Sequence, residues 1–465
     1  MTLALRNGFS PFVQNLLDDL NWIIGPIHLV GGGLRNALQH HFISAELDIL
    51  VDKPLEECRR LLLDAGYSSA VMGGKENQLL LPLKRRENPQ TIQISRLRAR
   101  PGVTPNVGED LAHRDITVNA MAYCWPDGPL VDPFNGRQDL SHNRIRLVNG
   151  VLTLANAPLR AIRFFRFTIQ LGGDPIPEDL TRCAETDLTN VRGEWLRGET
   201  DRIFSLPLQD ERSRQILFDL FSCTLGRSLL PELWILKQWP EQPGAEQSAW
   251  KNTLLTMLHV PHAIDGEEFS ALDLRWAALL HQLGKPQGAR YNAQGDLTGY
   301  GGYWDNSARI GAQVLERLQF SKRRQRRILN IIQYLEVGLS PTERTLRRLA
   351  QSQAPLEAVF RLNYAKALSA DDLTPEARAG VDEEYQRAMR RCSAARRHIN
   401  RLQPTDLALS GGEMVDIVRA APGPWISRLQ SYLVDWVSED PKRNKKPLLA
   451  DEVRSWLLEQ SDLFT

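Results

Sequence analysis

The sequence lacks the residue patterns that mark several large classes of protein. Its five cysteines are scattered and none forms a CxxC pair, so we predict neither a disulfide framework nor a cysteine zinc site. No apolar run approaches the ~18 residues that a membrane span requires. The N-terminus has no basic segment followed by an apolar one, so no signal peptide is predicted. We therefore expect a cytoplasmic protein with reduced thiols and no membrane partner.

A large charge of one sign is also absent. The chain has 57 Lys and Arg against 56 Asp and Glu, a formal net charge of +1, so any polyanion must be bound by local basic patches. One such patch is "SKRRQRRI", with Arg323, Arg324, Arg326 and Arg327. Two more are "RRCSAARRHINR" and "DPKRNKKP". These clusters predict contacts with a nucleic-acid backbone, and the alternative is that they are solvated helix faces.

Two regions differ in their hydrophobic periodicity. Before about residue 150, apolar runs of strand length such as Ile27–Val30 and Leu47–Val51 alternate with helical patterns such as "LEECRRLLLDAGY". From Asn156 onward the pattern is helical, with a stretch rich in Pro and Gly at Pro231–Pro261. The sequence predicts an α+β protein with an α/β region first and helices after it.

A glycine turn lies between a predicted strand and a predicted helix. Gly31, Gly32 and Gly33 follow the strand at Ile27–Val30 and precede Arg35. Glycines at such a turn let backbone N–H groups approach phosphate oxygens, and the dipole of the helix adds to the attraction. A turn of this kind also occurs for packing alone, so both interpretations stay open on these residues.

Two acids follow on the next predicted strand. Glu46 and Asp48 are two residues apart and therefore point to the same side of the strand. Two carboxylates on one face can bind divalent cations of the kind used in two-metal nucleotidyl transfer. The alternative is an exposed strand face with two solvated acids.

Longer motifs strengthen the functional interpretation. The segment Gly108–Val148 contains "HRDITVNA" and "DPFNGRQDL". Together with "LVGGGLRN" and "ELDIL", these motifs resemble, in the same order, the head domain of class II tRNA nucleotidyltransferases and bacterial poly(A) polymerases. The segment "NAPLRAIRFFRF" is similar to the family's base-recognition helix, and the resemblance extends to the C-terminus.

The resemblance implies a nucleotidyltransferase (polymerase-beta-like) α/β head followed by an all-helical neck, body and tail. It divides the chain into a head at 1–150, a helical neck at 151–230, a degenerate phosphohydrolase-like body at 231–375 and a tRNA-binding tail at 376–465. It also implies template-independent addition of C and/or A to the 3′ end of tRNA, with pyrophosphate as the product. The sequence leaves the oligomeric state open.

The same resemblance implies roles for particular residues. Glu46 and Asp48 are expected to be catalytic and to hold Mg²⁺. The partners are expected to be the acceptor arm of tRNA and CTP and/or ATP. The residues expected to bind the nucleotide are Gly31, Gly32, Arg35, Arg114, Asp115, Asn119, Arg160, Arg163 and Arg166.

Four positions depart from the family pattern. Glu46 replaces the first Asp of the metal pair, Asn36 replaces the acid after Arg35, and His113 replaces the first Arg of the third motif. Ala157 replaces the acid that helps to recognise the base, and we expect this change to affect the choice between CTP and ATP. A weak or inactive RNA-binding paralogue, a poly(A) polymerase, and CC-only or A-only addition are therefore alternatives.

The helical body departs as well. A working phosphohydrolase of the type that it resembles needs a His-Asp pair, and here His281 is followed by Gln282. The later Gly-His position is occupied by Gly302 and Tyr303. We therefore predict that the body binds no catalytic metal, that it contacts RNA, and that His281 is a packed helical residue.

Overall fold

A computed structural model of the chain describes residues 5–6, 8–39, 46–72, 78–83, 90–99, 102–261, 269–352, 354–371, 373–398 and 404–459. The chain forms two compact units, Met1–Pro231 and Glu232–Thr465. Among the described residues, no helix is long and apolar enough to cross a membrane.

The first part of unit 1 is a mixed sheet with helices. Its strands are β1 (His28–Val30), β2 (Glu46–Val51), β3 (Ala70–Met72), β4 (Gln78–Leu83), β5 (Gln90–Arg96), β6 (Ala122–Cys124) and β7 (Leu130–Val131). Its helices are α1 (Pro11–Ile24), α2 (Gly31–Leu38), α3 (Leu55–Asp64), α4 (Val107–Ala112) and α5 (Gly136–Ser141). A short 3-10 turn covers Thr117–Asn119.

The described strands β1 to β7 form one sheet in the order β3-β4-β5-β2-β1-β6-β7. Strand β1 is antiparallel to both β2 and β6, whereas β2 is parallel to β5. Apolar side chains of β1, β2 and β5 pack with helix α1 in one core. Helix α1 presents Val13, Leu17 and Leu20 to that core, as expected for an amphipathic helix. The sheet core therefore fixes the strands that lead to the glycine turn and to Asp48.

The rest of unit 1 is helical, as its periodicity predicts. The helices are α6 (Gly150–Asn156), α7 (Leu159–Leu171), α8 (Pro177–Ala184), α9 (Gly193–Phe204), α10 (Glu211–Ser222) and α11 (Thr224–Leu229). Two short strands, β8 (Arg144–Ile145) and β9 (Asp174–Pro175), pair in parallel. Helix α7 buries Ile162, Phe165 and Ile169 and ends at Gly172 in the left-handed conformation, so the arginines of its other face are left for the site.

Unit 2 is mainly helical, and a helix at its start, α12 (Pro231–Ile235), begins at the last residue of unit 1. The helices that follow are α13 (Ala249–His259), α14 (Ala271–Leu280), α15 (Lys285–Gly288), α16 (Tyr303–Arg317), α17 (Lys322–Gln333), α18 (Glu343–Gln351), α19 (Leu356–Ala367), α20 (Pro375–His398), α21 (Gly411–Val418), α22 (Trp425–Glu439) and α23 (Lys446–Glu459). Short 3-10 turns cover Leu236–Gln238, Leu335–Val337, Pro404–Asp406 and Pro441–Arg443.

A small antiparallel hairpin, β10 (Ala289–Tyr291) and β11 (Leu297–Tyr300), interrupts the helices of unit 2. The break that the sequence shows at "LSGGEM" is the start of α21, where Ser410 and Glu413 form a capping box. The predicted fold class, a mixed α/β head followed by helices, is confirmed. The finer division into head, neck, body and tail stays a prediction.

Candidate functional site

Asp48 lies beside the glycine turn because of the strand register. Strands β1 and β2 pair so that Asp48 is opposite Val30, the residue that precedes Gly31. Gly31 has a φ of +69°, and a Cβ atom there would lie 2.5 Å from Asp48 Oδ2. Only glycine combines this backbone conformation with room for the carboxylate. The first glycine of the motif is therefore required by the approach of Asp48.

Glu46 is the second acid of the predicted metal pair. Its backbone lies in β2, paired with Thr91 of β5, and Asp48 is paired with Gln93. Alternation along the strand gives the two acids the same face, but the Glu46 side chain lies outside the described part of the structure. Among the described residues, no group of three or more His, Cys, Asp or Glu side chains could hold a metal. The role of Glu46 in metal binding stays a prediction.

Arg35 is buried next to the third motif. It is 5% exposed, and its Nη1 donates to Asn119 Oδ1 at 2.6 Å. Its Nη2 donates to Asn36 Oδ1 at 3.2 Å, so the residue that replaces the family's acid contacts the arginine as a neutral acceptor. Among the described residues, the buried Arg35 Nε has no hydrogen-bond partner. Burial lowers the pKa of Arg35, although the charge of Asp115 opposes this effect.

Asp115 lies where the third motif meets helix α7. Its Oδ1 accepts from the Ile116 N–H at 2.9 Å, and its Oδ2 lies 3.5 Å from Arg163 Nη1. Burial raises the pKa of this carboxyl, but the charges of Arg163, Arg160 and Arg166 and the Ile116 hydrogen bond outweigh burial and lower it overall. Asp115 is therefore an anion within a group of arginines.

Arg114 is oriented by a carboxylate that the sequence analysis did not single out. Asp110, fully buried, accepts from Arg114 Nη2 at 3.1 Å and from Arg98 Nε at 2.9 Å. Arg114 Nη1 lies 3.7 Å from the place where a Cβ of Gly31 would be. Because Asp110 and Arg114 are four residues apart, the spacing typical of a helical ion pair was a usable signal.

Arg160 contacts the loop that carries the third motif. Its Nη2 donates to the His113 carbonyl oxygen and its Nη1 donates to the Thr153 carbonyl oxygen at 3.4 Å. The substitution of His113 for arginine leaves this contact intact, because only the backbone carbonyl takes part. The His113 ring instead contacts the Glu109 carbonyl oxygen at 2.8 Å.

Glu199 of α9 is a second carboxylate that sequence reasoning missed. It is 2% exposed and bonds three arginines: Arg163 Nε at 2.9 Å, Arg166 Nε at 3.0 Å and Arg202 Nη1 at 2.5 Å. Burial lowers the pKa of Arg163, but the charges of Asp115 and Glu199 outweigh it and raise the pKa. Glu199 thus fixes two of the arginines predicted to bind nucleotide.

The arginines that Asp110 and Glu199 orient line one cavity of about 1710 Å³. Asp48 lines it, and so does every residue predicted to bind the nucleotide, namely Gly31, Gly32, Arg35, Arg114, Asp115, Asn119, Arg160, Arg163 and Arg166. The structure therefore brings these residues together across more than a hundred positions of sequence. Their roles stay predictions, and the cavity is rich in guanidinium donors of the kind that bind phosphate.

Ala157, at the position of the missing acid, also lines the cavity. Its backbone carbonyl accepts from the Arg160 N–H at 2.9 Å as α7 begins, and its methyl side chain accepts no hydrogen bond. Asn156, whose side-chain carbonyl is a candidate substitute acceptor, is exposed and lines the same cavity. The acceptor is thus missing at Ala157 itself while an amide is present next to it.

The motif "DPFNGRQDL" has a structural role in this chain. Asp132 accepts from the Gly136 N–H at 2.7 Å, and a Cβ on Gly136 would lie 2.2 Å from the Thr117 carbonyl oxygen. The fully buried Asp139 accepts from the Thr117 hydroxyl at 2.6 Å and from Arg146 Nη2 through its other oxygen, also at 2.6 Å. The motif therefore holds the Thr117–Asn119 turn in place.

The basic cluster of α17 splits into two pairs. Arg324 Nε and Arg327 Nη2 form ion pairs with the fully buried Asp273, at 2.9 and 3.0 Å. Arg323 and Arg326 are exposed. The prediction that all four bind RNA is untested, and the structure separates two arginines that stabilise the helix packing from two that face solvent.

His281 has the packed position that its sequence predicts. It is fully buried, and its Nδ1 lies 2.6 Å from the Ala278 carbonyl oxygen. Burial lowers its pKa well below the usual value, so the ring is neutral. Gln282 Nε2 lies 3.1 Å from His281 Nε2, so the residue that follows His281 contacts its ring as a neutral amide.

Comparison with known proteins agrees with the motifs. The family described as the poly(A) polymerase head domain matches residues 27–146. The multifunctional CCA protein of Alkalilimnicola ehrlichii is 31% identical over 275 residues, which are 56% of this chain and 62% of that protein. That of Tolumonas auensis is 29% identical over 281 residues, 56% and 63% respectively. The matched part thus spans less than two thirds of these relatives.

Solved structures resemble the chain over nearly its whole length. The Bacillus stearothermophilus CCA-adding enzyme in complex with CTP has a TM-score of 0.65 at 18% identity, covering 97% of this chain and 99% of that one. The Thermotoga maritima CCA-adding enzyme complexed with tRNA has a TM-score of 0.54 at 17% identity, covering 98% of each chain. At this identity the likeness establishes the fold. The chain therefore contains a poly(A) polymerase head domain at residues 27–146 and shares the fold of these CCA-adding enzymes.

Proposed function

We propose that this protein is a template-independent nucleotidyltransferase that adds C and/or A to the 3′ end of tRNA. The terminal hydroxyl of the RNA attacks the α-phosphate of CTP or ATP, a new phosphodiester bond forms, and pyrophosphate leaves. The observation that supports this most strongly is the single cavity in which Asp48 lies against the glycine turn among Arg35, Arg114 and Arg163.

The arginines account for triphosphate binding. The guanidinium group of Arg35 is buried, and its Nε lacks a hydrogen-bond partner among the described residues. A buried cationic donor with unused capacity favours an anionic ligand. The N-terminus of α2 adds backbone N–H groups at Gly31 and Gly32, which can approach phosphate oxygens without a side chain in the way. Arg114, held by Asp110, lies at the edge of the same turn.

Asp48 fits a magnesium site. Its carboxylate is half-buried, faces the cavity and borders the glycine turn, and carboxylate oxygens are the ligands that Mg²⁺ uses in proteins. Glu46 on the same strand face would complete the pair, together with oxygens of the triphosphate. When bound, Mg²⁺ supplies Lewis-acid stabilisation of the charge that develops on the transferring phosphoryl group.

Recognition of the base is proposed to depend on Arg160 without an acid at position 157. Arg160 has two backbone carbonyl partners, the oxygens of His113 and Thr153, which hold its guanidinium against the head. The side chain of Ala157 offers no acceptor to the exocyclic amine of cytosine or adenine, and one lost hydrogen bond costs ~1–3 kcal/mol of discrimination. We therefore propose that the choice between CTP and ATP is weaker than in a protein with an acid at this position.

Unit 2 is proposed to bind the tRNA acceptor arm through sequence-independent contacts. Arg323 and Arg326 are exposed on α17, while Arg324 and Arg327 hold that helix against Asp273. Double-helical RNA is recognised mainly by shape and backbone, which suits exposed arginines on a rigid helix. The predicted division of this unit into body and tail belongs to the same proposal.

A second candidate function is RNA binding without extension, as in a weak or inactive paralogue. The substitutions at Glu46, Asn36, His113 and Ala157 favour it. Poly(A) addition is a third candidate that differs only in substrate choice.

One experiment separates these candidates. The protein and Mg²⁺ are incubated with tRNA transcripts that end before CCA, after C and after CC, and with each labelled nucleoside triphosphate separately. Incorporation of C and A in the family's order supports the proposal, and incorporation of one nucleotide type identifies a partial activity. Tight tRNA binding with no incorporation under any condition would establish the inactive paralogue and refute the enzyme.

A further inference from the structure

One aromatic side chain stands out in the cavity wall. Trp195, in the first turn of α9, lines the cavity and is 51% exposed. The rest of the cavity is lined by arginines, other polar side chains and aliphatic residues. The ring of Phe167, which also lines it, is 8% exposed with the Arg166 guanidinium carbon 4.1 Å from its centroid. Trp195 is therefore the aromatic surface of this wall that is open to a ligand.

The backbone that carries Trp195 is fixed by the site itself. Glu199, one helical turn later on α9, bonds Arg163 and Arg166 of α7. Residues four apart share a helix face, so Trp195 lies on the same face of α9 as that buried carboxylate. Its indole is also in contact with Arg192, whose guanidinium carbon lies 5.4 Å from the ring centroid. An exposed ring on a rigid helix loses little entropy when a ligand covers it.

The chemistry around the ring selects the ligand class. The cavity combines clustered guanidinium groups, which bind phosphates, with one exposed indole, and a nucleotide has both an anionic and a flat aromatic part. Stacking accepts any base, because every base has a π face. Stacking therefore supplies affinity without an acceptor at Ala157, where the edge-reading acid is missing.

We propose that Trp195 stacks on a nucleobase of the substrate and is a positioning residue for nucleotidyl transfer. This inference rests on the proposed function of the cavity and adds a specific contact to it. The base belongs either to the incoming CTP or ATP or to the 3′-terminal nucleotide of the RNA, and the two sources have the same stacking chemistry.

Equilibrium binding tests the contact without turnover. Dissociation constants are measured by calorimetry for wild-type, Trp195→Ala and Trp195→Phe proteins. The nucleotide arm uses CTP, ATP and inorganic tripolyphosphate. The RNA arm uses a tRNA transcript that ends after CC and the same transcript with an abasic last position. Each arm thus pairs a ligand that has the base with one that lacks it.

We expect Trp195→Ala to weaken binding of the base-bearing ligand in one arm by about 5- to 150-fold, the range of a single base–aromatic stack. Tripolyphosphate or the abasic RNA should bind as to wild type. Trp195→Phe, which keeps a π face, should retain most of the affinity. The arm in which the loss occurs identifies the source of the base.

Trp22→Ala is the matched control, because Trp22 is 86% exposed on α1 and does not line the described cavity. Unchanged affinity of Trp195→Ala in both arms would overturn the inference, as would equal losses for base-bearing and base-free ligands. Incorporation by the wild-type protein tests the proposed function separately. If the wild-type protein extends tRNA and the Trp195→Ala variant binds and extends it equally well, this inference is refuted while the proposed function stands.

Discussion

Two groups of buried charges, one in each unit, are built in opposite ways. In unit 1, three arginines share the carboxylate of Glu199, and these arginines line an open cavity. In unit 2, the fully buried Lys285 donates to two oxygens of Glu241, namely Oε2 at 2.6 Å and the backbone carbonyl oxygen. The first group has more cationic donors than carboxylates.

Aromatic rings close the second group. Lys285 Nζ lies 4.8 Å from the ring centroid of Tyr300 and 5.6 Å from that of Tyr303. Lys366, on α19, donates to the Tyr303 hydroxyl at 2.9 Å and lies 4.0 Å from Glu241 Oε1. Both groups have more cations than carboxylates, so the comparison teaches that such a cluster indicates a ligand site where its cations face a cavity and indicates packing where aromatic rings enclose it.

The largest effect is expected at Asp48. Asp48→Ala should lower nucleotide incorporation by about 10³-fold, because several kcal/mol of charge stabilisation are lost with a metal ligand. The rate of labelled nucleotide addition is the measurement. Asp52→Ala, an exposed acid just beyond β2, is the control and should extend tRNA normally. Residual extension by the Asp48 variant close to wild type would refute the assignment of this carboxylate.

Glu199→Gln is expected to have the next largest effect. Removing the buried charge leaves Arg163, Arg166 and Arg202 without their shared anion, and the loss of a charged hydrogen-bond partner costs about 1.5–3 kcal/mol. The midpoint of urea unfolding measures this loss. Glu194→Gln, an exposed acid of the same helix, should change stability by less than about 0.5 kcal/mol. Equal stability of the two variants would mean that the arginines do not depend on Glu199.

Lys285 should make stability depend on pH. Burial lowers its pKa to about 8, although Glu241 opposes burial and Lys366 reinforces it. Because the unfolded chain holds this proton up to a pH near the ordinary lysine value, the unfolding free energy should rise between pH 8 and 10. The difference between wild type and Lys285→Met should grow by about 2 kcal/mol over that range.

Comparison with Lys285→Met removes the titrations that both proteins share. Two neighbouring groups titrate above this pH range: Lys366, whose pKa is raised because its contacts with Tyr303 and Glu241 outweigh burial, and Tyr300, where burial raises the pKa to about 12. A difference that stays flat or shrinks from pH 8 to 10 would contradict the assignment of a lowered pKa to Lys285.

The smallest effect is expected on α17. The Arg323→Ala/Arg326→Ala protein should fold normally, and its tRNA affinity should depend less on salt, with a slope reduced by about 2. The Arg324→Ala/Arg327→Ala protein should instead be less stable, because Asp273 loses both partners. Salt titrations of tRNA binding and urea unfolding test this pair. Equal salt slopes for wild type and the Arg323/Arg326 variant would remove these residues from the RNA surface.

The sequence predicted the residues of the cavity better than their supports. The glycine turn, Asp48, Arg114 and Arg160 were identified because motifs carry them, and strand register and helix period then place them together. Two of the carboxylates that orient arginines, Glu199 and Asp273, follow no such pattern. Glu199 is 36 residues from Arg163 and Asp273 is 51 residues from Arg324, so only the tertiary fold reveals these contacts.

The same limit explains the split of the basic cluster on α17. Four arginines within five residues appear equivalent in sequence, yet the helix turns Arg324 and Arg327 toward a buried acid and leaves Arg323 and Arg326 in solvent. "DPFNGRQDL" is the reverse case. The motif was recognised in sequence, but its support of the Thr117–Asn119 turn required the contacts of Asp132 and Asp139.

The stoichiometry of product formation tests the central claim most directly. A tRNA transcript that ends before CCA is incubated with the wild-type protein, Mg²⁺ and labelled CTP and ATP, and both the label in RNA and the released pyrophosphate are counted. The proposed function predicts one pyrophosphate for each nucleotide added. A protein that binds the transcript tightly but yields neither labelled RNA nor pyrophosphate would contradict it.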